Sequence, residues 1–415
     1  MYSQNISDRD AFDLGEKVGL KLKRYRRESC REIAESLEGA FDGKRRTRDL
    51  TTVEQSFIRN EQLMCSVDFM YWALRYAKIK TKAPGPPRYY EPWESQQLLH
   101  DLMAELEETT VERNDGIMLS NLKSRQLGMS TVYEMVLSHK AFFTHGFTGL
   151  IAADESTQSE YLFNMMERVY DHNPWWLKPK REYHVKGTQM FFDEMDSLIV
   201  VQYGNLKADI GRGKTIHGVH LSELEKWEDT DQIDDGLMPA LPRLPSTMAF
   251  FESTGEFRGS WWHSFFNDTT DGANRFTPFF VPWYAERNTY TRPAPDDWKP
   301  DEITAAHERR VREDSPKWMR GKTVDLSKSQ LYFWEFTRKE YAKKGNTGIF
   351  FCEYASSPQE AFRSANSSVF SWETLDFLRS KSSYPSSYEV IGPKIDHEKI
   401  RLEQLQTRKA RTRHV

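Results

Sequence analysis

Residues 123–131 read K-S-R-Q-L-G-M-S-T and follow the apolar stretch Ile117, Met118, Leu119. This is the outline of a phosphate-binding loop, G-x-x-x-x-G-K-[ST]. In that loop backbone N–H groups cradle the phosphates, the lysine reaches the β and γ oxygens and the hydroxyl serves magnesium. Gly128 holds the second glycine and Ser130 the hydroxyl. The lysine slot is Met129, which carries no charge, and the first-glycine slot is Lys123. The cation has therefore moved to the front of the loop, with Arg125 two residues behind it. Taken alone, the string also fits an ordinary strand-to-helix turn, so its chemistry depends on downstream partners.

Hydrolysis of a phosphoanhydride needs a carboxylate that positions the attacking water, usually at the end of a strand beside the loop. Glu223, closing I-H-G-V-H-L-S-E (216–223), meets that need. Ser222 stands where an aspartate often helps to hold magnesium. Further on, F-F-E-S-T-G-E sets Ser253, Thr254 and Gly255 behind an apolar strand. Hydroxyls at such a tip can sense loss of the γ-phosphate, and the same string makes an ordinary turn. Gln96, in P-W-E-S-Q-Q (92–97), carries an amide whose donor and acceptor match an adenine edge. In G-R-G-K-T (211–215), Arg212 and Lys214 suit phosphate, DNA or a basic turn.

Other signals carry less. His217 and His220 are three apart, so on a strand they face opposite sides and make poor partners for one metal. Trp261, Trp262, Phe265 and Phe266 read as core packing. The acidic run Glu225, Glu228, Asp229, Asp231, Asp234, Asp235 reads as a solvated face. No Ser-His-Asp or Cys-His arrangement is supported by spacing.

These residues need a scaffold. Residues 1–80 are charged and helix-like, and T-K-A-P-G-P-P-R (81–88) breaks the pattern with three prolines and a glycine. From 89 to about 285, short apolar runs alternate with longer amphipathic ones, which predicts an α/β domain with a parallel sheet. The expected strands are 116–120, 148–153, 197–202, 216–222 and 247–252, with 277–283 as an edge strand because its prolines are tolerated there. Beyond 286 a loop-like stretch (291–300) precedes a helix over 327–343.

The chain has 415 residues, 38% hydrophobic and 29% charged, with a net charge of −4. That is a globular profile. It excludes coating of nucleic acid by bulk charge, although basic residues cluster locally, as at Lys44, Arg45, Arg46 and Arg48. No apolar run approaches the roughly twenty residues of a membrane span. The N-terminal sequence has no secretion-signal pattern. Cys30, Cys65 and Cys352 are widely spaced and suit a reducing cytoplasm rather than a disulfide framework.

The order of parts resembles the ATPase region of the large terminase subunit of tailed bacteriophages, the motor that packages DNA into preformed heads. The matching strings are P-W-E-S-Q (92–96), S-R-Q-L-G-M-S-T (124–131), L-I-A-A-D-E-S-T-Q-S-E-Y-L-F (150–163) and H-L-S-E (220–223). E-S-T-G (252–255), F-F-V-P-W-Y (279–284), L-S-K-S-Q-L-Y-F-W (326–334) and Y-A-S-S-P-Q-E-A-F (354–362) continue them. The resemblance implies a P-loop NTPase with a mainly parallel central sheet flanked by helices, a mainly helical N-terminal region and a small lid subdomain. The expected boundaries are 1–88 for the helical region, 89–285 for the ATPase core, 286–365 for the lid and 366–415 for a linker or docking segment.

It also implies roles. ATP and Mg²⁺ would be the cofactors, with Lys123, Ser124, Arg125, Gln126, Gly128, Ser130 and Thr131 around the phosphates and Gln96 at the base. Ser130 would serve the magnesium, Glu223 the water, and Ser253 with Thr254 the coupling to movement. Implied partners are double-stranded DNA, a portal protein, a small terminase subunit and further copies in a ring on the procapsid, in the host cytoplasm with no membrane. Two other readings compete: a helicase-like nucleic-acid-dependent ATPase, and a non-catalytic assembly subunit with a degenerate nucleotide site.

Full-length members carry a ribonuclease-H-type nuclease, and only 53 residues follow Phe362 here. The expectation is that this chain does not cut DNA, because two-metal cleavage needs several converging carboxylates. Supercoiled plasmid incubated with the purified chain and Mg²⁺ or Mn²⁺ should stay intact. Nicking that copurifies with the protein and vanishes in Asp396→Ala would overturn this.

Overall fold

A computed structural model describes residues 31–182, 188–203 and 215–363. The expectations for residues 1–30, for Arg212 and Lys214, and for 366–415 lie outside the described residues.

Three helices come first: α1 (Arg31–Gly39), α2 (Thr52–Val67) and α3 (Phe69–Tyr76). Thr51 and Glu54 cap α2 reciprocally, and the Asp68 side chain caps α3. The proline-rich break then lies between two short paired strands, β1 (Lys78–Ile79) and β2 (Arg88–Tyr89). Next come α4 (Glu94–Arg113), β3 (Ile117–Lys123), α5 (Met129–Phe143), β4 (Thr148–Ala153) and α6 (Ser156–His172). They are followed by β5 (Arg181–Glu182), β6 (Gln189–Phe192), β7 (Ser197–Tyr203), β8 (Gly218–Ser222) and β9 (Met248–Ser253). The chain continues through α7 (Trp261–Thr270) and β10 (Thr277–Val281) to α8 (Glu302–Trp318), α9 (Lys328–Lys343), α10 (Thr347–Glu353) and α11 (Pro358–Ala361).

Eight strands form one sheet in the order β10-β3-β9-β8-β4-β7-β6-β5. The first six are mutually parallel, while β6 and β5 run antiparallel at one edge. The fold is thus mixed α/β with a mainly parallel sheet, as the alternation of apolar and amphipathic runs predicts. β10 is an edge strand, and Pro278 lies in it. The sequence pattern does not announce the β5–β6 hairpin, because its two strands are too short for a periodic signal to register.

Parallel strands covered on both faces have no polar side, so they appear in sequence as continuous apolar runs. β3, β8 and β9 are buried along their whole length. Alternate residues of these strands and of β7 feed two separate cores. Ile117, Leu119, Phe250, Ile199 and Val201 join one, with Trp72, Val136 and Phe163. Met118, Leu122, Ala249, Phe251 and Val200 join the other, with Trp262, Phe265 and Phe266. The aromatic run at 261–266 is therefore core, apart from the half-buried Trp261.

Among the described residues, neither the N-terminal helices nor the segment after 286 keeps a core of its own. Trp72 of α3 packs on His139 and Phe142 of α5, and the His139 ring bonds the Cys65 carbonyl. Trp334 of α9 stacks on the buried His307, which in turn stacks on Trp283. Trp72, Trp283 and Trp334 all belong to one cluster. Among the described residues no helix is long and apolar enough to cross a membrane.

The start of β3 is tightly constrained. A Cβ on Gly116 would lie 1.9 Å from the Thr247 carbonyl oxygen, which accepts from the Ile117 amide. Gly116→Ala must push β3 and β9 apart where they begin to pair. We expect chemical denaturation to show a loss of about 3 kcal/mol, at the upper end of overpacking costs. Unchanged stability would mean that this approach relaxes freely.

Candidate nucleotide site

Parallel pairing brings the carboxyl ends of neighbouring strands to one edge, the usual place for a ligand in open α/β sheets. Lys123 ends β3, Ser222 ends β8 and Ser253 ends β9, with β9 between the other two. In register, Glu252 lies opposite both Asn121 and Ser222. Glu223 follows β8 with φ 57°, a left-handed conformation that a non-glycine residue holds only under strain.

The loop between β3 and α5 makes two left-handed turns, at Gln126 (φ 54°) and Gly128 (φ 78°). Gly128 caps α5, whose first backbone N–H groups have no partner within the helix and so favour an anion. Met129 begins that helix and sinks into the core, 1% exposed. An apolar residue in the lysine slot thus has a packing reason.

The loop is held from two sides. From α4, Ser95 Oγ donates to the Leu127 carbonyl (2.9 Å) and Gln96 Nε2 to the Gly128 carbonyl (2.9 Å). Gln96 Oε1 accepts from the Trp93 amide (2.9 Å), so both ends of this amide are used inside the protein. Gln96 therefore braces the loop here, with one amide N–H and one carbonyl lone pair engaged. On the other side, Ser124 Oγ donates to the Ala355 carbonyl (3.1 Å) and Arg125 pairs with Glu353 (2.6 Å). The Arg125 amide donates to the Glu353 carbonyl and the Tyr290 hydroxyl to the Arg125 carbonyl. Arg125 thus turns toward the segment after 286, while Lys123 turns inward. Gln126 is exposed, and Thr131 is half-buried on the first turn of α5.

Lys123 lies 3.7 Å from Glu223 and 4.0 Å from Glu252. Burial works against its charge, but these two carboxylates outweigh it and raise its pKa. Ser130 Oγ donates to Glu252 Oε1 at 2.5 Å and Ser222 Oγ at 3.1 Å. His220 sits 2.6 Å from Glu134 and 3.1 Å from Glu252. Burial favours neutral His220, yet the two carboxylates hold it protonated, with its pKa pushed up to about 9. Burial likewise opposes the charge on Glu252, but Lys123, His220 and Ser130 bring it down to about 2. Burial raises Glu134 and Asp154.

At the tip of β9, Ser253 Oγ accepts from the Glu225 amide (3.1 Å). The Glu225 carboxylate accepts from the Phe257 amide and the Ser260 hydroxyl, and burial pushes its pKa up to about 7. Glu225 is thus no part of a solvated face; it ties the segment after Glu223 to the N-terminus of α7. Thr254 is half-buried, and a Cβ on Gly255 would meet the Ala361 carbonyl oxygen at 2.4 Å. The strand tip therefore touches α11 directly.

The fold thus gathers Lys123, Ser130 and Glu223 and leaves Arg125, Gln96 and Ser124 as braces. It adds three residues to which sequence reasoning gives no role: Glu252, Glu134 and His220. His217, by contrast, accepts from the Thr148 amide and lies beside the Phe147 ring. The available signal is a lone charge inside an apolar run: Glu252 in M-A-F-F-E-S and Glu134 in V-Y-E-M-V.

No protein-family model matches the chain, and no curated protein does. Solved structures similar to it include the large terminase of bacteriophage HK97, 13% identical with a TM-score of 0.45, covering 72% of this chain and 53% of that one. The large terminase ATPase domain of Thermus phage P74-26 is 15% identical with a TM-score of 0.38, covering 59% and 88%. The large terminase of a thermophilic bacteriophage is 12% identical with a TM-score of 0.38, covering 53% and 50%. The chain spans about half the length of the first and third of these proteins. Likeness at this level carries no argument about activity, which must come from the residues themselves.

The raised pKa of His220 makes stability depend on pH. Its contribution is fully present below the unfolded value near 6.5 and is lost as pH rises through about 9. Glu252, lowered to about 2, acts in the opposite sense, and only as pH falls below its unfolded value of 4.5. The stability difference between wild type and His220→Gln, from urea unfolding, should therefore shrink steadily between about pH 6.5 and pH 9. A pH-independent difference would show that His220 is neutral in the folded chain.

Proposed function

We propose that this chain is an ATP-hydrolysing motor subunit that moves double-stranded viral DNA into a procapsid through a portal. The observation that carries the hydrolytic part is the meeting of Lys123, Ser130 and Glu223 at the carboxyl edge of a parallel sheet, beside the N-terminus of α5. The ordered motif strings, from P-W-E-S-Q to Y-A-S-S-P-Q-E-A-F, support the packaging part.

The site fits a magnesium-bound triphosphate on two counts. Ser130 donates its hydroxyl hydrogen bond to Glu252, which leaves the oxygen's lone pairs free for a cation. The N-terminus of α5 and the Lys123 ammonium supply positive charge for phosphate oxygens. Magnesium, held through Ser130, would neutralise charge on those oxygens. Lys123 would oppose the charge that develops during transfer, as the lysine at the usual slot does elsewhere. Glu223 is half-buried at a strand end, so its carboxylate can orient a water and draw on its proton. Ser253 and Thr254, linked to Glu225 and abutting α11 through Gly255, would pass loss of the γ-phosphate to the segment after 286. Arg125 and Glu353 would carry the same change from the loop side.

DNA, a portal protein, a small terminase subunit and a ring of copies on the procapsid complete the reading, with the host cytoplasm as its place. A degenerate, non-catalytic site is disfavoured because a buried, charged lysine faces the glutamate despite Met129. A helicase-like ATPase shares the same strand-end chemistry, and unwinding of a forked duplex without procapsids would favour it.

Glu223→Gln should keep nucleotide binding while turnover falls roughly 10²- to 10⁴-fold, because a neutral amide cannot take up the proton. Lys123→Ala should be comparably damaging, and Arg125→Ala milder. Wild-type kcat in Glu223→Gln removes that residue from the site. A crippled Arg125→Ala beside a mild Lys123→Ala would reverse the assignment of the main phosphate cation.

A further inference from the structure

We infer that Glu252, on β9, supplies the carboxylate toward the nucleotide's magnesium that Ser222, on β8, cannot. The inference rests on the proposed ATP site and goes beyond it by naming the residue.

Position 222 ends the strand that leads into the water-directing Glu223, and a serine there brings no charge. The pairing of β8 with β9 sets Glu252 directly opposite it. Neighbouring strands lie about 4.8 Å apart, and the extra methylene of a glutamate helps it reach across that gap. Ser222 Oγ itself donates to the Glu252 carboxylate, so the serine holds the carboxylate that stands in for its own.

The two oxygens of Glu252 are unequally treated. Oε1 accepts from Ser130 and Ser222 and lies beside His220. Oε2 is buried with no hydrogen-bond partner, and Lys123 Nζ is 4.0 Å away. An ionised oxygen left bare inside a protein is costly and calls for a cation or a donor. A magnesium ion with its bound waters offers both. Through Oε1 the same carboxylate fixes the Ser130 hydroxyl with its proton turned away from the ion. On the far side His220, anchored by Glu134, holds Glu252 in place. Two oxygens of one side chain thus do what a carboxylate at position 222 would otherwise do. Glu252 lies deep in the strand, so its reach is to the ion's waters or to the ion at closest approach.

The test uses the full chain with Mn²⁺ as the metal probe and a non-hydrolysable ATP analogue. Free Mn²⁺ is followed by electron paramagnetic resonance, and nucleotide binding in EDTA by fluorescence. Glu252→Gln should weaken nucleotide-dependent Mn²⁺ binding about 10-fold or more beyond any loss of metal-free nucleotide binding. Adding Ser222→Asp to Glu252→Gln should recover most of the metal affinity, because the carboxylate returns to the neighbouring strand. Equal losses with and without metal, or no recovery in the double variant, would overturn the inference and leave an anchor for Lys123 in its place. Should Glu252→Gln fail to fold, anomalous scattering from Mn²⁺ in crystals of the wild type with the analogue decides. An ion on Glu252, directly or through one water, supports the assignment; an ion held by Asp154 or Glu223 away from it refutes it. If the wild type binds no nucleotide under any condition, the ATP reading itself fails and this inference falls with it.

Discussion

The buried carboxylate of Glu252 is the point on which the strand ends depend. It draws Ser130 from the first turn of α5, Ser222 from β8, Lys123 from β3 and His220 from the interior of β8 onto one group. A charge in that position is tolerated only because cations and hydroxyls surround it; lone burial would force it to take up a proton. The same arrangement keeps Lys123 ionised under burial. Removing Glu252, Lys123 or His220 leaves its neighbours with uncompensated charge, which is why these side chains form a unit rather than a set of pairs.

Around that unit the loop between β3 and α5 is braced on both flanks, and the braces differ in kind. On the α4 flank the contacts of Ser95 and Gln96 go to backbone carbonyls and are buried, which gives a fixed wall. On the other flank, Arg125 meets Glu353 where its side chain is more than half exposed. An exposed ion pair is weak and exchanges with water readily. This flank is also tied by Ser124 to the Ala355 carbonyl and by Tyr290 to the Arg125 carbonyl, so the exposed ion pair is the tie that releases most easily toward the segment after 286. The tip of β9 points the same way, since Gly255 leaves no room between it and Ala361.

Much of this is legible in the sequence. The long strands announce themselves as apolar runs because both faces of the sheet are covered. The Gly128 turn and the Ser130 hydroxyl are readable because their chemistry is local to one loop. Gln96 is less legible for the opposite reason. Its amide suits a base edge as well as it suits a carbonyl, and only the packed position of α4 shows that it meets the Gly128 carbonyl. Strand alternation rightly separates His220 from His217, but it is silent about a helix crossing the sheet with Glu134 on its inner face.

The sequence by itself determined the classes of local structure and the donors of charge. It placed a displaced cation at 123, a hydroxyl at 130, a carboxylate at 223 and a run of strands to carry them. Only the tertiary structure decided that β9, the latest of the three strands in the chain, inserts between β3 and β8. Parallel neighbours are joined through long crossovers, so no turn geometry or spacing specifies their order. That order is settled by how helices and apolar faces pack on both sides of the sheet. It sets Glu252 between the β3–α5 loop and Glu223, and so turns a lone charge in an apolar run into the centre of the candidate site.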